Sequence, residues 1–293
     1  MQTIQNLKRK IDSTGDLQSV VKTMKSLAAV SIRQYEQAAQ ALEDYYRTVE
    51  LGFQVVLREQ FRTQLTIKAA PAGRIAAVVF GSDQGMAGSL NEQIVTHAVE
   101  FLENESGGKE PPVILAVGER AFGNLEDAGL PVSDTFNLPG SVSGITPYVQ
   151  KIVMRIETWQ EQFGVNQVLL FHNRHTSQAS FRPHTVRLLP LDRKWLERLK
   201  KKKWRSRSLP TFTMEPEILF SALIREYLFV SIFRAFVESL ASENASRLAS
   251  MQGAEKNIDE RLGELTNQYH QQRQMSITEE LLDIVSGFEA MKE

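Results

Sequence analysis

Three glycines within eight residues form the stretch whose residue types most readily suggest chemistry. GSDQGMAGSLN occupies 81–91, after the apolar run 75–80 and before a segment of helical character. A strand, a glycine-rich turn and a helix can hold a phosphate on backbone amides. Here the glycines are spaced G-x-x-x-G-x-x-G, which is neither the P-loop nor the dinucleotide pattern, and no lysine is placed to reach a phosphate. The pattern favours a tight strand-to-helix turn, with Ser89 or Asn91 near the helix start and no cofactor.

Other candidates for catalysis or metal binding are weaker. His172 and His175 in HNRH are the one pair of histidines with ligand-like spacing, but that segment has no carboxylate to complete a common metal site. A polar loop at the end of a strand is the favoured interpretation. The nucleophile-elbow pattern G-x-S-x-G is missing from the sequence, and SVSG at 141–144 is interpreted as a loop. We therefore expect neither catalytic nor metal-binding residues.

The basic run RLKKKKWRSRS, from Arg198 to Ser208, carries the strongest local charge. Such a run, with Trp195 and Trp204 beside it, could contact phosphates or anionic lipid headgroups. Charge runs more often mark solvated connections, so a solvent-exposed loop before Pro210 is the favoured interpretation.

The composition is that of an ordinary soluble protein. The chain has 293 residues with 34 basic and 35 acidic side chains, so its formal charge of -1 predicts no global attraction to nucleic acid or to an anionic membrane. Without cysteine it has no disulfide or thiolate chemistry, which fits a reducing compartment. No signal peptide and no membrane span are expected, because apolar runs of the required length are missing from the sequence.

Proline is confined to the middle of the chain, so both ends are predicted to be long helices. All ten prolines lie between Pro71 and Pro216. The N-terminal segment has the a/d spacing of a coiled coil in two columns, interrupted by Thr14, Gln18 and Lys25. The columns comprise Leu7, Val21, Ala28, Tyr35, Leu42, Val49 and Val56, and Ile4, Ile11, Ile32, Ala39, Tyr46 and Phe53.

The C-terminal helix is predicted from 217 to 288, with three different surfaces. Its start is strongly apolar, 241–250 is rich in alanine and serine, and two stripes at helical spacing follow. The first stripe is Ile258, Leu262, Leu265 and Tyr269, and the second is Gln274, Thr278, Leu281, Val285 and Phe288.

The middle of the chain alternates predicted strands with predicted helices, which indicates a parallel α/β sheet. Strands are expected at 74–80, 113–117, 166–171 and 185–191, and helices at 91–104, 119–128 and 146–163. The predicted fold is an antiparallel coiled coil of the N- and C-terminal helices, 1–70 and 210–293, with a Rossmann-like parallel α/β domain inserted at 71–209.

Both ends resemble the gamma subunit of F-type ATP synthases. The N-terminal similarity includes VVKTMKSLAAVSIRQ, and the C-terminal one includes ASENASRLASMQGAEKN and LTNQYHQQRQMSITEELLDIVSGFEA. In the middle, Asp83, Gly85, Gly88 and Asn91 of the glycine stretch match the family's pattern, and we expect them to form a structural turn.

The resemblance implies a non-catalytic rotary shaft. Its partners would be the alpha and beta subunits of the catalytic ring, the epsilon subunit and the membrane c-ring, on the cytoplasmic face of the cell membrane. By motif position, beta-subunit contacts would fall on Met24, on Glu243 and Arg247, and on Gln274 and Thr278. The small residues at 241–250 would offer a weakly gripping surface to the ring.

The sequence departs from the family pattern at Gln84, Met86, Ala87 and Ser89 in the turn and at His270 after Tyr269. These departures suggest a divergent gamma subunit, and we hypothesise that it belongs to an alternate, sodium-translocating ATP synthase. Two other functions stay open at this point. One is a free-standing nucleotide-binding α/β protein that uses the glycine turn. The other is a coiled-coil tether or nucleic-acid binder that uses residues 200–207.

Overall fold

The computed structural model describes residues 4–59, 73–106, 110–177, 180–204, 207–208 and 210–291. The chain divides into two compact units. The terminal unit combines Met1–Ala28 with Leu248–Glu293, and the sheet unit is Ala29–Arg247.

Two long helices account for both ends of the chain, as predicted. Helix α1 is Ile4–Glu59 and helix α6 is Pro216–Ala290. Neither has a proline in its interior, and the one proline of α6 is its first residue, where the missing N–H has no intrahelical partner to lose. Every position of the two predicted a/d columns in α1 is buried or half-buried. The heptad pattern therefore predicted the packed face of this helix correctly.

In the terminal unit α1 and α6 pair antiparallel. The Gln18 amide donates to the Asp259 carboxylate, and Lys25 Nζ lies 2.5 Å from Glu255 Oε2. Gln18 and Lys25 are two of the three residues that interrupt the apolar seam of α1. Acidic side chains of α6 compensate for these interruptions, which explains how the coiled coil tolerates them.

The sheet has five strands in the order β3-β2-β1-β4-β5. They are Arg74–Phe80, Val113–Val117, Val132–Phe136, Val165–Ser177 and Ser180–Leu189, numbered along the chain. The first four strands are parallel, and β5 pairs antiparallel with β4. The fold class is confirmed, with one strand more than predicted and one antiparallel edge.

Helices cover both faces of the sheet, as the buried central strands require. Strand β1 alternates: Ala76, Val78 and Phe80 contribute to one apolar cluster, while Ile75, Ala77 and Val79 contribute to the other. The first cluster includes α4, Ile145–Phe163, and the section 228–241 of α6. The second includes α2, Leu90–Ser106, and α3, Glu119–Asp127. A 3-10 turn at Val142–Gly144 precedes α4.

A short helix, α5 at Arg193–Lys201, corrects the prediction for the basic run. Residues 198–201 are helical and do not form the expected loop. Asp192 caps the helix by accepting from Lys194 N, and Leu196 and Leu199 are buried against Phe53 of α1 and Val230 of α6. The predicted domain boundaries at 70/71 and 209/210 involve residues outside the described part of the chain.

Candidate functional site

The glycine turn between β1 and α2 is held by its own polar side chains. Ser82 N donates to Asn91 Oδ1 at 2.9 Å, and Asn91 Nδ2 donates to Ser82 Oγ at 2.8 Å. Ser82 Oγ in turn donates to the Gln84 carbonyl at 2.9 Å. Asn91 lies in the first turn of α2, so this network joins the end of β1 to the start of the helix.

Asp83 extends the turn to the neighbouring connections. Its Oδ1 accepts from Glu119 N at 3.1 Å, and its Oδ2 accepts from Leu138 N at 2.7 Å. The Ser82 carbonyl accepts from Arg120 N at 2.9 Å. The first amides of α3 therefore bond to the turn, which supports a structural role for it.

The left-handed backbone positions of the turn are not all glycines. Gly88 has φ 55°, in the left-handed region that glycine favours, but the second such residue is Met86 with φ 65°. Gly85 is not in that region, and a side-chain β-carbon there would meet only Arg120 Nη2 at 3.6 Å. A β-carbon at Gly81 would lie 2.5 Å from both Ala121 Cβ and Asn91 Oδ1. At Gly118, after β2, φ is 108° and the backbone of Ser82 lies 2.9 Å from a β-carbon position.

Three side chains at successive turns of α6 bind the sheet and the glycine turn; we call Glu238, Ser242 and Ser246 the latch. Glu238 Oε2 lies 2.9 Å from His172 Nε2 on β4. Ser242 Oγ lies 2.9 Å from the Asn173 carbonyl and 2.7 Å from the Glu238 carbonyl of α6, so its one hydrogen is shared between them. Ser246 Oγ donates to the Ala87 carbonyl at 2.6 Å. The spacing of four residues places all three on one helix face.

Glu238 is the electrostatic centre of the latch. Burial alone would raise the pKa of its carboxyl, but hydrogen bonds from His172 and from Arg234, whose Nε lies 2.8 Å away, outweigh burial and lower that pKa to about 2. A carboxylate only accepts, so His172 Nε2 carries the hydrogen of this bond. His172 is therefore a buried strand residue paired with α6. The expected polar loop at HNRH is wrong, because β4 continues to Ser177.

The latch explains why the side chains of the alanine- and serine-rich section of α6 are small. Residues 241–246 are all buried within the sheet unit. The expectation that 241–250 offers a surface to other subunits is wrong for 241–246. Small side chains let the helix approach the sheet closely. The four-residue spacing of Glu238, Ser242 and Ser246 was visible in the sequence, but nothing there identified their partners.

Two of the residues expected to contact a beta subunit form a buried pair in the sheet unit. Arg247 Nη2 lies 2.5 Å from Glu243 Oε1, and their side chains are only 12% and 7% exposed. Burial raises the pKa of the Glu243 carboxyl, and the nearby charge of Asp83 raises it further, while Arg247 opposes both effects. Burial of Tyr35 of α1 likewise raises its phenol pKa, with Glu243 adding to the effect and Arg247 opposing it.

The other three expected contacts belong to the terminal unit. Met24 is half-buried, whereas Gln274 and Thr278 are exposed. Thr278 Oγ1 donates to the Gln274 carbonyl at 2.9 Å, one helical turn earlier. The second predicted stripe is exposed at Leu281 and Val285 as well, whereas the first contains the buried Leu265.

Within the described ranges between residues 4 and 291, no group of three His, Asp or Glu side chains is arranged to hold a metal ion. Over the same residues, no helix contains a segment both long and apolar enough to cross a bilayer.

Comparisons with known proteins agree over nearly the whole chain. A family model described as ATP synthase matches residues 3–291. The ATP synthase gamma chain of Nautilia profundicola is 22% identical to this chain, and the aligned region covers 100% of both chains. That of Ruminococcus albus is 27% identical, with 98% of each chain covered.

Two solved structures share the fold. The central stalk and c-ring structure of the Tetrahymena thermophila mitochondrial ATP synthase contains a chain that is 24% identical with TM-score 0.61, covering 80% of this chain and 99% of that one. The rotor of the Euglena gracilis mitochondrial ATP synthase contains one that is 15% identical with TM-score 0.64, covering 94% and 98%.

Proposed function

This chain belongs to the ATP synthase family and matches gamma chains over its whole length, and we propose that it acts as the central rotary shaft of such a complex. It is a non-catalytic subunit. It couples ion flow through a membrane c-ring to conformational change in a ring of alpha and beta subunits, where ATP is made or hydrolysed.

The hydrogen bonds of the latch are the observation that supports this mechanism. A shaft must transmit torque from the domain that is driven to the helix that turns. Glu238, Ser242 and Ser246 bond α6 to the sheet at 2.6–2.9 Å over two helical turns. Directional bonds between buried groups resist sliding of the helix along the sheet better than apolar contacts alone. The inserted α/β domain, with predicted limits 71–209, would therefore serve as the foot that holds the shaft.

We assign the partners by the same proposal. The sheet unit would stand on the c-ring with the epsilon subunit, on the cytoplasmic face of the cell membrane, and the membrane would be reached only through the complex. Gln274 and Thr278 are exposed and could contact a beta subunit directly. Glu243 and Arg247 are buried in the isolated chain, so their role would be to fix the helix surface beside that contact. Met24 would contribute from α1.

Reconstitution tests the shaft directly. Purified alpha and beta subunits should hydrolyse ATP faster when this chain is added, and a bead on the chain should rotate under ATP. Ring subunits that are indifferent to the chain would contradict the proposal. Gln274→Ala should lower the stimulated rate several-fold, because it removes a directional contact. Gln268→Ala, which changes another exposed glutamine of α6, should leave the rate unchanged.

The free-standing nucleotide-binding alternative makes a different prediction. It requires ATP or NAD to bind the isolated chain, with Gly85→Val abolishing binding. The glycine turn opposes this alternative, because it has neither the P-loop nor the dinucleotide pattern and no lysine placed to reach a phosphate. Calorimetry of the isolated chain with each nucleotide should show no saturable heat.

A further inference from the structure

Helix α5 and the residues after it present an exposed basic face on the sheet unit. From Arg193 to Lys203 the chain has seven cationic side chains against one acidic side chain, Glu197. All seven are exposed. We call these seven the basic face; they are Arg193, Lys194, Arg198, Lys200, Lys201, Lys202 and Lys203.

The basic face is held rigidly on the fold. Leu196 and Leu199 are 4% exposed and pack in the cluster that contains Phe53. The Lys202 carbonyl, just after the helix, accepts from the side chains of Gln54 and Arg58 of α1, the latter at 2.6 Å. The apolar side of α5 is thus already used within the protein, and its cationic side is directed away from that core.

An amphipathic cavity opens beside the basic face. It has a volume of about 300 Å³ and combines the cations Arg47, Lys202 and Lys203 with the apolar side chains Leu51, Leu199 and Trp204. Leu51 is 38% exposed. One acid, Glu50, also lines the cavity, with its carboxylate 3.6 Å from Lys202 Nζ. Cations beside exposed apolar surface match a phospholipid, whose anionic headgroup adjoins acyl chains.

From this arrangement we propose that the basic face and its cavity bind anionic phospholipid headgroups at a bilayer surface. The inference rests on the proposed function, which stands the sheet unit on the c-ring, and it adds a direct lipid contact to the attachment made through the complex. The attraction is electrostatic and diffuse, so it has no preferred angle about the membrane normal. A rotating foot could therefore keep this contact through a full turn. Nucleic acid fits less well, because stacking needs exposed aromatic rings and the one ring that lines the cavity, Trp204, is half-buried.

Vesicle binding of the full-length chain tests the proposal without other subunits. The chain is mixed with vesicles of phosphatidylcholine alone or with 30% phosphatidylglycerol, and the bound fraction is measured by sedimentation. We expect binding only to the anionic vesicles, weakening as salt rises. Substituting Lys194, Arg198, Lys201 and Lys203 together by Gln should weaken binding by roughly fivefold for each cation near the surface, on the order of 600-fold in all.

A matched variant separates the basic face from net charge. Substituting Lys8, Arg9, Lys10 and Lys22 by Gln removes the same four charges from exposed positions of α1. This variant should bind anionic vesicles as the unaltered chain does. Circular dichroism should be unchanged in both variants, and stimulation of ring ATPase should be unchanged in the variant of the basic face, which keeps a failed lipid contact distinct from a failed shaft.

Three outcomes would overturn the proposal. The unaltered chain fails to bind anionic vesicles at low salt; both quadruple variants lose binding equally; or binding that depends on the basic face appears with single-stranded DNA and not with vesicles. The last outcome would assign the face to nucleic acid.

Discussion

Replacing Glu238 by Gln tests whether the charged centre of the latch stabilises the sheet unit. The carboxylate is 15% exposed, accepts from Arg234 Nε at 2.8 Å and lies 2.9 Å from His172 Nε2. Glutamine keeps the size of the side chain but removes its charge. It can accept at only one oxygen, so one of the two donors loses its partner or turns to solvent.

The magnitude follows from the carboxyl pKa. The net effect of its neighbours lowers it from 4.5 to about 2, and each unit of pKa corresponds to about 1.4 kcal/mol. The ionised form therefore contributes about 3 kcal/mol to folding, as an order of magnitude. Because the folded-state pKa is the lower one, this stability is present above pH 4.5 and is lost as pH falls towards 2.

Tryptophan fluorescence during urea unfolding reports the unfolding of the sheet unit, which contains Glu238. All three tryptophans, Trp159, Trp195 and Trp204, belong to the sheet unit. At pH 7 Glu238→Gln should lower the free energy of unfolding by about 2–3 kcal/mol. At pH 3 the difference from the unaltered chain should be clearly smaller, because the unfolded carboxyl is then mostly protonated.

Two results would refute this reasoning. One is a Glu238→Gln variant as stable as the unaltered chain at pH 7. The other is a difference that stays constant from pH 7 to pH 3, which would assign the loss to packing. Glu279→Gln provides the control, because it removes a carboxylate from an exposed position of α6 and should change stability by less than about 0.5 kcal/mol.

Three further predictions follow from single contacts. Gly118→Ala should destabilise the sheet unit by about 3 kcal/mol, because the new β-carbon would lie 2.9 Å from the backbone of Ser82 and φ is 108°. In the same urea assay the control Gly123→Ala should be neutral or slightly stabilising, because a β-carbon there would meet nothing within 4 Å in helix α3. Ser246→Ala should cost about 1–3 kcal/mol, because it leaves the buried Ala87 carbonyl without that donor. Ultraviolet titration should find the Tyr45 and Tyr46 phenols ionising near pH 12, because a hydrogen bond to Glu226 raises the pKa of Tyr45 and burial raises that of Tyr46; Tyr45→Phe should reduce the amplitude of that step by one phenol.

The long helices were the most predictable part of the fold, because their determinants are local. Absence of proline and a heptad pattern suffice to identify a packed helix of this length, and the columns through Tyr35 and Phe53 proved to be its packed face. The limit of local reasoning appears at Gln18 and Lys25. Their acidic partners Asp259 and Glu255 lie more than 200 residues later, so only the pairing of the helices relates them.

The sheet was predicted less completely. Strand β1 and strand β2 are continuous apolar runs and were located correctly. Strand β3, VSDTF, was missed because it lies at the sheet edge and its residues alternate between half-buried and exposed. The extension of β4 through HNRH was missed for another reason. His172 and Asn173 are polar yet buried, and their burial depends on Glu238 and Ser242 of α6, which no local pattern reveals.

Helix α6 carries two surfaces whose difference bears on the shaft mechanism. Its section 235–246 is almost entirely buried by the sheet unit of the same chain, and the latch satisfies its polar groups. Farther along, Ile277, Leu281 and Ile284 are 47%, 57% and 66% exposed. Water-exposed apolar side chains close together on a helix favour contact with another protein surface. A shaft needs both properties on one helix, because the buried section must be held without slipping while the exposed section must be free to meet each wall of a ring in turn.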